Sequence, residues 1–132
     1  MVKVSPGEPI ELCLPADPNL MLVIRLTAAG VIARAGVTVD RMDEIKMAVE
    51  EACGCLMDQI HPPRRLRLRF SVDDAGLGVR AEAVGAAAET GDVTDDQLEV
   101  MRCILLALAD EAEFDVRDGF IAGVSVRAAL AE

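Results

Sequence analysis

The chain has 132 residues, a length that suits one domain with a real core and is short for two. Hydrophobic residues make up 52% of it but aromatics only 2%, so Leu, Ile, Val, Met and Ala must fill the core and base stacking is excluded as a mode of recognition. Acidic residues outnumber basic ones 23 to 13, and a net charge of −10 repels phosphate backbones and anionic lipid heads, which sets aside nucleic acid and membrane as partners.

The first residues, Met1 to Gly7, carry no basic patch followed by an apolar run. Leu20 to Ala33, interrupted by Arg25, is too short to span a bilayer, so a cytoplasmic protein is expected. Ile10 to Leu14 alternates as a half-buried strand that Pro15 closes. Asp17 and Pro18 open a helix running to about Arg34, with Asp17 as its cap, and Gly36 stops it. Asp40 is the expected cap of the next helix, about Arg41 to Ile60. Met42, Ile45, Val49, Ala52, Cys53, Leu56 and Ile60 fall on its core stripe, while Glu44, Glu51, Cys55 and Asp58 fall on the opposite face. His61-Pro62-Pro63 ends it, since proline cannot continue the hydrogen-bond ladder.

Arg65 to Val72 alternates strictly, with Leu66, Leu68, Phe70 and Val72 on one face and Arg65, Arg67, Arg69 and Ser71 on the other. Asp73 to Gly76 is a turn, and Leu77 to Ala83 returns as a strand. Gly85 to Gly91 reads as loop. Thr94 caps a third helix, Asp95 to about Ala109, whose core face holds Leu98, Met101, Leu105 and Leu108. Asp118-Gly119 then joins strands Phe114 to Arg117 and Phe120 to Ala129 as a two-residue hairpin. Hairpin-linked strands interleaved with few helices predict an α+β fold, a two-layer sandwich of a mostly antiparallel sheet with helices on one face, as a single domain over 1–132.

Cys13, Cys53, Cys55 and Cys103 lie scattered in apolar surroundings, a pattern that fits a reducing compartment rather than a disulfide framework. Cys53-Gly54-Cys55 lacks further ligands, because His61 is the only histidine, and no metal site is expected.

Ile24-Arg25-Leu26-Thr27, the run Asp43 to Cys53 and the run Leu108 to Phe114, taken with the element order, resemble the anti-sigma-factor serine kinases of the RsbW and SpoIIAB type. These belong to the GHKL ATPase superfamily of histidine kinases, gyrase and heat-shock chaperones. The resemblance covers about Ile10 to Leu130 and implies four nucleotide elements. Glu51 matches the general-base glutamate, but Cys55 stands where the family has a magnesium-ligating Asn, and a thiol is a poor ligand for a hard ion. The Asp-x-Gly that holds adenine becomes Ala83-Val84-Gly85, without its carboxylate, while the literal Asp74-Ala75-Gly76 sits one strand too early. A lid shortened to about Ala86 to Asp95 follows, and Glu99 and Met101 replace the glycines that cradle phosphate at a helix start. Glu51 is then a vestigial base, with no cofactor expected.

The resemblance further implies a partner-contacting role for Arg25, a homodimer, and a sigma factor or anti-anti-sigma protein as partner. The expected function is a partner-switching regulator without ATP turnover. An active ATP-dependent serine/threonine kinase and a thiol redox sensor using Cys53 and Cys55 are the alternatives. Arg65, Arg67 and Arg69 read as a solvated sheet face, and an acidic partner is the other occupant that this row suits.

Overall fold

The alternation from Arg65 to Val72 becomes the middle of an eleven-residue strand, β2 (Pro63–Asp73). In the computed structural model, which describes residues 8–74, 76–86 and 90–129, it joins β1 (Ile10–Pro15), β3 (Gly76–Ala86), β4 (Glu111–Arg117) and β5 (Phe120–Ala128). The five form one antiparallel sheet in the order β1-β2-β3-β5-β4. Leu66, Leu68 and Phe70 are each at most 1% exposed, and each such side chain contributes about 1.5 to 3 kcal/mol by leaving water. Three helices, α1 (Met21–Arg34), α2 (Val39–Met57) and α3 (Asp95–Leu106), cover that face, which makes the expected α+β two-layer sandwich. No helix among the described residues is long and apolar enough to cross a membrane.

The other face carries the arginine row, and carboxylates of the neighbouring strands meet Arg67 and Arg69, with Arg80 of β3 sharing Glu82. Arg67 meets Glu82 at 3.0 Å, Arg69 meets Glu11 at 2.6 Å, and Arg80 meets Glu82 at 2.9 Å. The Arg67 guanidinium, helped by Arg80, holds the Glu82 carboxyl below the usual carboxylate range.

Several element ends differ from the sequence expectation. Asp17 caps a short 3-10 turn, Pro18–Leu20, ahead of α1, accepting from the Asn19 amide at 2.9 Å. Thr38 rather than Asp40 caps α2: its backbone is extended and its hydroxyl accepts from Arg41 N at 3.3 Å, which leaves Asp40 in the first turn, favoured by the helix dipole. α2 ends at Met57, ahead of Pro62 and Pro63, so Ile60 loses the helical phase and is 59% exposed instead of joining the core stripe. α3 ends at Leu106, because the Leu108 and Ala109 amides both turn back to the Leu105 carbonyl. Its reciprocal capping box binds Gln97 N to the Thr94 hydroxyl at 3.1 Å and Thr94 N to the Gln97 side chain at 2.9 Å.

β3 runs on to Ala86, past the expected loop start, through Gly85 at φ 68. Ala75 of the preceding turn, Ala87 to Glu89 of the expected lid, Met1 to Gly7 and Leu130 to Glu132 lie outside the described residues. Asp118 and Gly119 take φ 50 and 74, the positive pair that a two-residue hairpin turn requires. Past the hairpin, Gly91 N bonds Asp118 O and Val93 N bonds Gly119 O, both at 3.0 Å, so the chain entering α3 is tied to the turn.

A candidate cleft between the second and third helices

The helices and that tied segment enclose a cleft of about 510 Å³. From α2 and the residues just past its end come Glu51, Cys55, Asp58 and Gln59. α3 adds Asp96, Gln97, Val100 and Met101, the tied segment adds Asp92 and Val93, and β5 supplies Ile121. The structure thus brings together Glu51, Cys55 and Met101 of the positions singled out in the sequence. It leaves Ala83, Gly85 and Glu99 off the cleft lining.

Cys55 departs from the expectation that it lies on the solvent face of α2, since it is only 7% exposed. The helical period set it off the core stripe, yet it shares the cleft lining with α3 and with Ile121 of β5 and meets little solvent. Burial, then the nearby Glu51 and Asp58, pushes its thiol up to about 12, and burial pushes Cys53 to about 12 as well. The shift favours the neutral thiol at both positions, which works against the chemistry a redox pair needs. Cys13 and Cys103 are the exposed thiols. Titration of the native chain with an aromatic disulfide reagent at neutral pH is expected to release two equivalents, rising to four in denaturant. Four rapid equivalents in the native chain would revive the sensor reading.

Glu99 and Met101 lie inside α3, as a helix starting at Asp95 requires, and not at a helix start, where the resemblance puts the phosphate-cradling glycines; each amide there bonds a carbonyl one turn back. The true first turn of α3 is closed to anions in its own way: the capping box occupies the Gln97 amide, and Asp95 and Asp96 bring negative charge to the positive end of the dipole. Among the described residues, no Lys, Arg or His lines the cleft, whose charged groups are the carboxylates Glu51, Asp58, Asp92 and Asp96. A buried thiol and a rim of carboxylates on the lining do not fit a magnesium nucleotide.

Sequence reasoning missed Gln59. Its side-chain amide donates to Ile121 O at 2.9 Å and to Leu56 O at 3.1 Å, and its oxygen accepts from Ile121 N at 2.7 Å. The β3–β5 pairing ends at Glu82↔Gly123, two residues before Ile121, so this side chain takes the place of a neighbouring strand. The sequence placed Gln59 inside a helix expected to run to about Ile60, which hid it.

Arg25 stands apart from the cleft. It projects from α1 to form an ion pair with Glu50 of α2, whose hydrogen bond raises the pKa of the arginine. Exposed Leu22, Val23 and Leu26 lie on the same helix.

No family model matches the chain. It is 48% identical over 89 residues to the serine-protein kinase RsbW of Bacillus subtilis (strain 168), covering 65% of this chain and 52% of that one. It is 30% identical over 94 residues to the RsbW of Bacillus cereus (strain AH187), covering 71% of this chain and 47% of that one. The matches thus span about half the length of these two curated relatives. Among solved structures, the crystal structure of the RsbU and RsbW domains of a Mycobacterium tuberculosis protein superposes with a TM-score of 0.71. That superposition covers 96% of this chain and 34% of the other at 14% identity, a likeness of fold. By sequence match and by fold, the chain is a relative of the RsbW-type serine-protein kinases, on the GHKL-like α+β scaffold.

Proposed function

We propose that the chain is a cytoplasmic, anti-sigma-factor-like partner-switching regulator. It binds a sigma factor, an anti-anti-sigma protein, or both, without turning over ATP. The relatives named above support the partner class. The observation that carries the absence of turnover is the cleft itself, with four carboxylates and no cation on its lining among the described residues. Joint loss at Cys55, Ala83, Glu99 and Met101 removes polar contacts worth about 1 to 3 kcal/mol each, against roughly 8 kcal/mol for an ordinary micromolar affinity. Glu51 alone cannot restore phosphoryl transfer, which depends on positioning and on neutralising phosphate charge. Titration calorimetry with Mg-ATP is expected to give no saturable heat. Binding at tens of micromolar or tighter, on the order of 6 kcal/mol, would favour the active-kinase alternative.

Arg25 belongs to this reading as a partner contact. It sits among exposed Leu22, Val23 and Leu26, with its charge half-committed to Glu50. The same apolar helix, with exposed Met47 of α2, supports a homodimer. Sedimentation at micromolar concentration is expected to return the mass of two chains, and a single-chain mass would remove the dimer from the reading.

A further inference from the structure

Part of the acidic surface of this protein is answered from within. Glu11, Glu82, Asp110 and Asp115 each meet an arginine of a neighbouring element. Four carboxylates without such a partner gather on the cleft: among the described residues, Glu51, Asp58, Asp92 and Asp96 have neither an ion pair nor a side-chain hydrogen bond. They surround an apolar floor of Val93, Met101, Ile121 and the buried Cys55. The apolar surface does not stop at the mouth. Val100 lines the cleft yet is 60% exposed, and Ile104, one turn further along α3, is 43% exposed, so a strip continues outward along the helix.

We propose that this cleft is a docking groove for a lysine- or arginine-bearing amphipathic segment of a protein partner. The inference rests on the regulator reading above and deepens it by naming the chemistry the partner must present. Charge complementarity selects the occupant: the rim asks for cations and the floor for hydrocarbon, and long basic side chains supply both by laying their stems on apolar surface beneath a charged head. Phosphate-bearing ligands meet repulsion from the same rim. A second copy of this chain brings ten further net negative charges, which disfavours it as the occupant. A free polyamine would satisfy the rim but leave the Val100–Ile104 strip uncovered, whereas a segment of chain covers both.

The test uses the full chain and a fluorescent synthetic helical peptide about twelve residues long, with leucine on one face and lysine on the other. Comparison probes replace leucine by serine, or lysine by glutamate, and spermidine is titrated separately. At near-physiological salt, saturable binding of the leucine-lysine peptide is expected. Asp58→Asn with Asp96→Asn should weaken it about tenfold, and the equal charge change Glu8→Gln with Glu113→Gln, away from the cleft, should leave it within about twofold. Equal losses in the two double variants would overturn the proposal, since binding would then follow net charge alone. Equal affinity for the serine-lysine peptide, or spermidine binding the cleft as tightly as the peptide, would overturn it too. Amide shifts on the unaltered chain provide a readout free of any folding defect in the variants: changes centred on Cys55, Asp58, Asp96 and Val100 support the groove, and changes centred on the arginine row of β2 refute it. Mg-ATP calorimetry stays a separate measurement, so a failed regulator reading and a failed groove give different results.

Discussion

Replacing Gly119 by alanine is expected to destabilise the fold by about 2 to 4 kcal/mol, measured by urea denaturation. Gly119 sits at φ 74, where a side chain costs about 1 to 2 kcal/mol, and a Cβ there would fall on the carbonyl of Gly91. The clash is reciprocal, because a Cβ on Gly91 would fall on the carbonyl of Gly119. Relief requires the two backbones to separate, at the expense of the Gly91-to-Asp118 and Val93-to-Gly119 hydrogen bonds, each worth about 0.5 to 1.5 kcal/mol. Because these bonds hold Asp92 and Val93 at the cleft, the variant should also loosen the cleft before the chain unfolds globally, seen as faster hydrogen exchange at the Gly91 and Val93 amides. Gly30→Ala is the control. Nothing lies within 4 Å of its Cβ position inside α1, and it should stabilise by about 0.5 to 1 kcal/mol. Equal stability of the Gly119 variant and the parent would mean that the close approach does not exist.

Gln59→Leu is expected to cost a similar amount, about 2 to 4 kcal/mol, for a different reason. Leucine keeps the bulk but withdraws both partners of Ile121, a residue 1% exposed whose N–H and C=O then face the cleft with no protein group to bond. Each unsatisfied backbone group costs about 1 to 3 kcal/mol, less where water can reach it through the cleft. Gln59→Glu should fall between the parent and the leucine variant at neutral pH, since a carboxylate still accepts from the Ile121 N–H but repels the Ile121 carbonyl. Denaturation midpoints at constant slope would measure both, and hydrogen exchange at Ile121 would localise the effect. An unchanged midpoint for the leucine variant would show that water replaces the amide at no cost.

The element order, the Arg65 to Val72 alternation, the Asp118-Gly119 turn and the Thr94 cap were all legible in the sequence. Each is set within a few neighbouring residues, by side-chain period, backbone preference or a local hydrogen bond. That Glu99 and Met101 fall inside a helix rather than at its start was legible as well, since the Thr94 cap sets where α3 begins; the tertiary structure added the tie of that start to the hairpin. The tertiary structure alone decided that Cys55 is buried. A helical period states which face leaves the core stripe, and only the tertiary packing states whether that face meets water. Gln59 was invisible for the same reason. Its partner lies 62 residues away in sequence, at the point where β3 stops pairing with β5, and no local pattern records a contact whose other half is the backbone of a distant strand.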